Sequence, residues 1–329
     1  MTAADASGLM LIAPHRYPDM SAEREIAERA GLELAEAKDR DEFRALAPRA
    51  EIVMLTPYAV IDPDTVAAMG RCRAIVRYGA GVDNVDLGAA TEAGIPVANV
   101  PDAAVEEVAL HAVAMITSLA RRIPDAGLAI RRGDWKTNVT AGVRRFSKQV
   151  VGLIGLGRIG SRTADHLQAL GAKVIAYDPV AETGPVPLVE LDDLFERADV
   201  ISLHAPLTET TRNIVSRERM EAMKPGSIVV NVSRGGLVDE AALAELLESG
   251  HLGGAGIDVF EEEPMALDHP LLEAPRAILT PHVAWRNDDS ARDYQVKAQE
   301  QAEMALAGRE MTSTVNPDAY ERRRVLRGE

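Results

Sequence analysis

Three polar side chains in the second half of the chain have the chemistry to hold an anion and to move a proton. Arg234, Glu263 and His282 each follow a short apolar run. The planar guanidinium of arginine pairs with a carboxylate through two charged hydrogen bonds. Histidine exchanges protons near neutral pH, and a neighbouring carboxylate favours its protonated form. The three residues therefore predict a carboxylate-binding cation beside a general acid that Glu263 orients.

Each of these residues, taken alone, also has an ordinary structural explanation. Arg234 would suit a surface ion pair, Glu263 a solvated acidic loop, and His282 a capped loop. The set becomes meaningful because it lies downstream of a nucleotide-binding pattern.

A glycine-rich turn supplies that pattern. GLGRIG at residues 155–160 follows the apolar run 150–154 and opens a predicted helix over 158–170. Gly155 permits a tight turn, Gly157 lets the backbone approach a pyrophosphate, and Gly160 lets helix and strand pack closely. The helix N-terminus then faces the phosphates. The glycines alone are a weak signal, but their place between a strand and a helix predicts dinucleotide binding.

Asp178 indicates which dinucleotide binds. It ends the next predicted strand, residues 173–178, where a carboxylate accepts hydrogen bonds from the ribose hydroxyls and repels the extra phosphate of NADP. An Asp-Pro pair is also typical of a simple turn. Position and glycine motif together favour NAD.

Such a cofactor beside a cation and a proton donor suits one class of reaction. A 2-keto acid needs a cation for its carboxylate, a proton for its carbonyl oxygen and a hydride from the cofactor. The predicted function is an NAD-dependent oxidoreductase that acts on the CH–OH group and interconverts a 2-keto and a 2-hydroxy acid.

The elements that must position these residues follow a strand and helix rhythm. Amphipathic segments separate apolar runs, and this pattern predicts parallel sheets that are covered on both faces. Predicted strands lie at residues 8–13, 32–37, 51–56, 74–77 and 95–100, and then at 150–154, 173–178, 199–203, 227–231, 254–258 and 277–280. A helix is expected after Asp62-Pro63, a long one from residue 105, and a final one over 289–307.

This order predicts an α/β protein with two doubly wound domains, one inserted in the other. Residues 1–102 and 288–329 are expected to form a substrate domain, and residues 103–287 an NAD-binding domain. The hinges are expected near Pro101 and Trp285, with the site in the cleft between the domains.

Composition argues against several other functions. A formal net charge of −15 argues against a nucleic-acid partner, because that binding needs clustered Lys and Arg. No apolar run approaches the roughly 18 residues of a membrane span, and no signal peptide is recognisable. We therefore expect a cytoplasmic protein without a membrane partner. The single Cys72 is interpreted as structural. The histidines lack ligand spacing, so no metal site is predicted.

Several longer motifs resemble the D-isomer-specific 2-hydroxyacid dehydrogenase family over nearly the whole chain. They are RYGAGVDNVD (77–86), NVPDAAVEEV (99–108), GLGRIG (155–160), HAPLT (204–208), MKPG (223–226), NVSRGGLVD (231–239), GIDVFEEEP (256–264) and LTPHVAW (279–285). The resemblance implies a Rossmann NAD domain inserted into a flavodoxin-like substrate domain, and it implies a homodimer.

The resemblance also assigns roles to individual residues. It implies catalysis by Arg234, Glu263 and His282. The implied cofactor-binding residues are Gly155, Gly157, Arg158, Ile159, Gly160, Asp178, His204, Ala205, Pro206, Val232, Ser233, Arg234, Asp258 and His282. The implied substrate-binding residues are Arg77, Gly79, Ala80, Gly81, Arg234 and Trp285, with the Gly79–Gly81 amides forming an anion nest.

Within the family, Arg77 and the ending PHVAW most resemble the branch of the C-terminal-binding proteins and their bacterial relatives. That resemblance keeps an alternative open: an NAD(H)-responsive interaction protein of the corepressor type. Formate is disfavoured as a substrate because Glu263 stands where formate dehydrogenases have Gln, whereas phosphoglycerate stays open. Arg77, Tyr58 and Trp285 favour an anionic or aromatic-compatible substituent on the substrate.

Overall fold

The computed structural model describes residues 8–135 and 137–328. These residues divide into two compact units. The first unit comprises the chain up to Ala103 together with Asn287 onward, and the second runs from Ala104 to Arg286. The second unit therefore interrupts the first in sequence.

Residues 8–103 form five strands and four helices. In chain order they are β1 (Leu9–Ile12), α1 (Ser21–Arg29), β2 (Glu33–Glu36), α2 (Arg40–Leu46), β3 (Ala50–Leu55), α3 (Pro63–Ala68), β4 (Ala74–Arg77), α4 (Leu87–Glu92) and β5 (Val97–Ala98). The sheet order is β2-β1-β3-β4-β5, and every neighbouring pair is parallel. This is the flavodoxin-like doubly wound order, so the predicted fold class of this unit is confirmed.

Local sequence explains where several of these elements begin. Asp62 accepts a hydrogen bond from the N–H of Thr65 and precedes Pro63, the first residue of α3, which confirms the predicted helix start. β1 is buried along its whole length because helices cover both faces of the sheet. A continuous apolar run, and not an alternating one, is what such a strand requires.

Within residues 104–135 and 137–286 the chain forms six helices and six strands. They are α5 (Val105–Ala120), α6 (Ile123–Arg131), β6 (Val150–Ile154), α7 (Arg158–Ala169), β7 (Lys173–Tyr177), α8 (Leu191–Arg197), β8 (Val200–Leu203), α9 (Arg217–Ala222), β9 (Ser227–Asn231), α10 (Glu240–Glu248), β10 (Leu252–Ile257) and β11 (Ala277–Leu279). The sheet order is β11-β10-β9-β8-β6-β7, again parallel throughout.

This second sheet has a topological switch point between β6 and β8. The chain runs from β6 outward to β7 and then continues on the other side of β6 with β8. Ligands of doubly wound sheets bind outside the carboxyl ends of the strands at such a point. The predicted Rossmann fold is confirmed, and the glycine turn follows β6 directly.

The last two helices belong to the first unit: α11 (Asp288–Leu306) and α12 (Asp318–Arg327). Asn287 and Ser290 form a capping box at the start of α11. Our sequence analysis predicted α11 but not α12. Side chains of α12 hold it in place, since Arg322 and Arg323 donate to the backbone carbonyls of Glu92 and Gly94.

No helix in the described part of the chain is long and apolar enough to cross a membrane.

Candidate active site

The glycine turn has the geometry that requires glycine at two of its three motif positions. Gly155 has a φ of 94°, and a Cβ there would lie 2.6 Å from the carbonyl oxygen of His204. A Cβ on Gly160 would lie 2.2 Å from the carbonyl oxygen of Gly155. A Cβ on Gly157 would meet no protein atom within 4 Å. Gly157 therefore borders open space, as a backbone that a ligand approaches should.

The turn leads into the first turn of α7, whose leading N–H groups have no acceptor within the helix. Arg158, Ile159 and Gly160 carry these groups. Unpaired amides and the helix dipole together attract an anion, so this helix start fits a pyrophosphate.

Asp178 follows β7 and accepts hydrogen bonds from three backbone amides. Its Oδ2 accepts the N–H of Leu156 at 2.7 Å, and Oδ1 accepts those of Val180 and Ala181 at 2.9 and 3.0 Å. Burial acts to raise the pKa of Asp178, but the three amide hydrogen bonds outweigh it and lower the pKa. An ionised carboxylate has about four acceptor sites, so one is left for a ribose hydroxyl.

His204, Ala205 and Pro206 follow β8, beside the turn. Nε2 of His204 lies 3.0 Å from the Ser202 hydroxyl, whereas its buried Nδ1 has no hydrogen-bond partner in the described structure. Burial lowers the pKa of His204 to about 3, so its ring is neutral. The orphaned nitrogen and the open space at Gly157 both fit a bound dinucleotide.

Val232 and Ser233 follow β9, the next strand along the sheet. Val232 is buried, and the Ser233 hydroxyl donates to the carbonyl oxygen of Leu203 at 2.8 Å. The Ser233 N–H donates to the Asn231 side chain at 3.0 Å. These bonds tie the ends of β8 and β9 together and thereby fix the backbone that precedes Arg234.

Arg234 is placed by the glycine that follows it. A Cβ on Gly235 would lie 1.9 Å from the carbonyl carbon of Phe260, so only glycine lets this backbone pack against the loop that carries Glu263. Nη1 of Arg234 donates to the Ser233 carbonyl at 2.6 Å.

Glu263 and His282 contact each other directly. Oε2 of Glu263 lies 2.7 Å from Nδ1 of His282, and Oε1 accepts the N–H of Phe260 at 3.0 Å. Burial acts to raise the pKa of Glu263, but the hydrogen bond and charge of His282, the Phe260 amide and the charge of Arg234 lower it overall. An ionised Glu263 makes Nδ1 the protonated nitrogen. Within residues 8–135 and 137–328 no hydrogen bond engages Nε2 of His282.

Asp258 is fully buried and holds the loop that carries His282. Its Oδ1 accepts the N–H of Val283 at 2.9 Å and the hydroxyl of Thr280 at 2.5 Å, while Oδ2 accepts the N–H of Ala284 at 2.9 Å. The Asp258 carbonyl accepts the N–H of His282 at 2.7 Å. These bonds hold His282 at a φ of 53°, which non-glycine residues rarely adopt. The family resemblance implies that Asp258 also binds the cofactor, and that role stays a prediction.

Two further side chains adjoin this loop. Trp285 Nε1 donates to the carbonyl oxygen of His282 at 3.1 Å. His111 of α5 lies 3.2 Å from the Thr280 hydroxyl and 3.8 Å from Asp258. Our sequence analysis missed His111. Its place on the same helix face as the buried Val108 and Met115 is the signal that would have found it.

The predicted anion nest lies in the first unit, after β4. Nη1 of Arg77 donates to the Tyr78 carbonyl at 3.1 Å, and a Cβ on Gly79 would lie only 1.4 Å from that nitrogen. Gly79 has a φ of 152°. No described residue accepts a hydrogen bond from the N–H of Ala80 or Gly81. Two unused amides beside a guanidinium fit an anion.

The second unit thus brings together Arg234, Glu263 and His282, with Asp258 and Trp285 at the same loop. Arg77 and the 79–81 turn belong to the first unit. Their assignment to the same substrate as Arg234 stays a prediction. Across residues 8–135 and 137–328 there is no cluster of three His, Cys, Asp or Glu side chains that could hold a metal ion.

A doubly wound domain that carries a glycine turn at its switch point and interrupts a second doubly wound domain defines a two-domain dinucleotide-binding protein. Residues 113–284, just over half of the chain, match the NAD binding domain of the D-isomer specific 2-hydroxyacid dehydrogenases. The chain belongs to this family.

Three known proteins illustrate the relationship. D-3-phosphoglycerate dehydrogenase of Mycobacterium tuberculosis is 39% identical over 284 residues, which cover 84% of this chain and 53% of that protein. Hydroxypyruvate reductase of Thermotoga maritima is 38% identical over 262 residues, covering 78% and 85%. A structure of D-lactate dehydrogenase from Aquifex aeolicus with NAD and lactic acid aligns with a TM-score of 0.84 at 27% identity, covering 95% and 97%. The chain spans about half the length of the phosphoglycerate dehydrogenases it matches. The narrower resemblance to the C-terminal-binding-protein branch stays a prediction.

Proposed function

We propose that this protein is an NAD-dependent D-2-hydroxyacid dehydrogenase that interconverts a 2-keto acid and the D-2-hydroxy acid. The contact of 2.7 Å between Glu263 Oε2 and His282 Nδ1 carries the proposal, because it builds an oriented acid and base. A protein that only bound NAD would not need this pair.

His282 is the proton donor and acceptor of the proposed reaction. Because Glu263 engages Nδ1, the nitrogen that meets substrate is Nε2. During reduction Nε2 gives its proton to the carbonyl oxygen, and during oxidation it takes the proton of the hydroxyl group. The carboxylate of Glu263 stabilises the imidazolium form between these events.

Arg234 holds the substrate carboxylate in this proposal. Its bond to the Ser233 carbonyl and the packing of Gly235 limit where the guanidinium lies. Paired hydrogen bonds from such a guanidinium orient a carboxylate as well as attract it.

The cofactor residues are the Gly155–Gly160 turn, the start of α7, Asp178 and the neutral His204. When bound, the nicotinamide would supply or accept the hydride.

The turn allows a direct test with two alanine variants. Gly157→Ala adds a methyl group in open space, so stability should change by less than about 0.5 kcal/mol while the Kd for NADH rises. Gly160→Ala should lower both stability and NADH affinity, because its Cβ would overlap the Gly155 carbonyl.

The relatives narrow the choice of substrate. Phosphoglycerate and hydroxypyruvate appear in the names of two of them, so the keto acids first considered are 3-phosphohydroxypyruvate and hydroxypyruvate.

We further propose that the protein is a cytoplasmic homodimer. No described residue of α6 is buried, and Ile123, Leu128 and Ile130 are exposed on it, which suits a subunit contact. Light scattering of the purified protein tests the dimer.

The decisive experiment mixes purified protein and NADH with a panel of 2-keto acids and follows the nicotinamide absorbance. Turnover of at least one acid is expected, and chiral chromatography should find the D-hydroxy acid. If no acid is reduced and His282→Ala binds NADH as the wild type does, the proposal fails. That result would favour the alternative of an NAD(H)-responsive interaction protein.

A further inference from the structure

The loop that carries Glu263 has no regular secondary structure to hold it. Residues 258–269, all of them described in the structure, form neither helix nor strand between β10 and the short turn Pro270–Leu272. Residues 261–264 and 266–268 are exposed. The side chains that anchor this loop therefore decide where the Glu263 carboxylate lies.

Glu240, the first residue of α10, contacts both ends of this loop. Its Oε1 accepts the N–H of Glu261 at 2.8 Å, and its Oε2 lies 2.9 Å from Nε2 of His269. The Glu240 side chain is only 11% exposed, so water competes little for these bonds. An ion pair between Arg212 and Glu261 also reaches the loop, but both side chains are more than half exposed, so this pair contributes little. Of these two polar anchors, Glu240 is the one that water screens less.

His269 is held in the orientation that its contact with Glu240 requires. Its Nδ1 accepts the N–H of Leu271 at 3.3 Å, so Nε2 is the nitrogen that carries a proton and donates to Glu240. Its ring also packs edge-on against the ring of Phe260, with the centroids 6.1 Å apart. One carboxylate thus fixes the chain on both sides of Glu263.

The anchored end of the loop adjoins the hydrogen bonds of Glu263 itself. Glu261 follows Phe260, whose N–H donates to Oε1 of Glu263 at 3.0 Å. Oε2 of Glu263 lies 2.7 Å from Nδ1 of His282. A displacement of the chain at Glu261 would therefore disturb both oxygens of the carboxylate that orients His282.

We propose that Glu240 is a positioning residue of the proposed dehydrogenase, and that its bonds to Glu261 and His269 keep Glu263 on the ring of His282. This inference rests on the proposed function and adds a residue that acts on the reaction through another. Without the anchor, Glu263 would contact the ring for less of the time and would stabilise its protonated form less.

The test measures kcat, KM and the pH profile of reduction with the keto acid that the wild type reduces best. Glu240→Ala should lower kcat about tenfold with KM within about twofold, because it disturbs proton transfer and spares carboxylate binding. Reduction needs the protonated ring of His282, so kcat should begin to fall about half a pH unit lower than in the wild type. Glu240→Gln keeps one acceptor oxygen and should lose less. His269→Ala removes one of the two bonds and should lower kcat about threefold.

A double-mutant cycle separates positioning from a general structural role. In the Glu263→Gln background, Glu240→Ala should lower kcat less than about twofold, because the carboxylate that Glu240 positions is gone. The control is Glu245→Gln, on the same helix at a residue that pairs with Arg217 at 2.7 Å, and it should change nothing. Losses that multiply in the double variant, an unshifted pH profile in Glu240→Ala, or a loss no larger than that of the control would overturn the inference.

Amide hydrogen exchange with single-residue resolution tests the same anchor without turnover. The N–H of Phe260 is bonded to Glu263, so it should exchange faster in Glu240→Ala than in Glu245→Gln. If the wild type reduces no acid, the proposed function fails, and this measurement then decides whether Glu240 positions Glu263. Faster exchange would support that role, and equal exchange in the two variants would refute it.

Discussion

The polar groups that follow the strands are held differently in the two units. In the second unit the protein's own hydrogen bonds fix the polar groups, as Asp258 does for the His282 loop. In the first unit aromatic rings pack together, and the amides of Ala80 and Gly81 keep no acceptor among the described residues. Proton transfer needs one nitrogen in one orientation, whereas anion recognition needs charges and donors that the protein has not already used.

The largest effect should come from the proton-transfer residue itself. His282→Ala should lower kcat about 10²- to 10⁴-fold, the contribution usual for a general acid and base. NADH binding, measured by fluorescence, should change only a few-fold. His251→Gln is the control, because His251 lies in the same unit but contacts the Met220 carbonyl. A residual rate within tenfold of the wild type would remove His282 from the chemistry.

Asp258→Asn should disturb the hydrogen bonds that hold the His282 loop, without altering Nε2 of His282 itself. Asparagine has an NH2 group in place of one carboxylate oxygen. This donor would face the N–H of Val283 or Ala284, which is also a donor and would lose its acceptor. We expect a loss of about 1–3 kcal/mol in the free energy of unfolding and a fall in kcat of about 10- to 100-fold. Denaturant titration and steady-state kinetics measure both. Asp239→Asn is a matched control, because Asp239 caps α10 and Asn caps equally well. Unchanged kcat in Asp258→Asn would show that the loop does not depend on this carboxylate.

A change in the first unit should affect recognition and spare the chemistry. Gly79→Ala would place a Cβ against Nη1 of Arg77 and disturb the anion nest, so KM for the keto acid should rise about tenfold with kcat nearly unchanged. The control is Gly88→Ala, whose Cβ would be 3.4 Å from the Asp86 carboxylate and at an ordinary φ. A fall in kcat at constant KM would contradict a role of the nest in recognition alone.

The smallest expected effect is on the pH dependence of the free energy of unfolding, and it comes from His204. Its pKa is about 3 in the folded protein against 6.5 for the free side chain, so the unfolded chain binds the extra proton first as pH falls. The folded protein should therefore lose stability below about pH 6.5, by on the order of 1 kcal/mol at pH 5.5. His204→Gln should lack this part of the loss. Denaturant unfolding of both proteins at pH 7.5 and 5.5 measures it, and equal losses would show that His204 does not stay neutral.

The strand predictions succeeded where the local signal was strong. The runs 74–77, 150–154 and 227–231 were predicted to the residue, because strands buried on both faces read as continuous apolar segments. The glycine turn was predictable because a left-handed φ at Gly155 is open to few other residues. The run 95–100 yielded only Val97–Ala98 as a strand. There the side chain of Asn316 accepts the Val97 N–H and donates to the Ile95 carbonyl, a contact that no local pattern contains.

The sequence by itself therefore determined two parallel sheets, the dinucleotide turn and the candidate chemistry of Arg234, Glu263 and His282. Helical and strand periodicity and the steric needs of glycine are properties of neighbouring residues. Only the tertiary structure decided that Glu263 meets Nδ1, that Asp258 holds the His282 loop, and that Glu240 contacts His269. These contacts join residues after different strands, and parallel pairing alone sets which strand ends become neighbours.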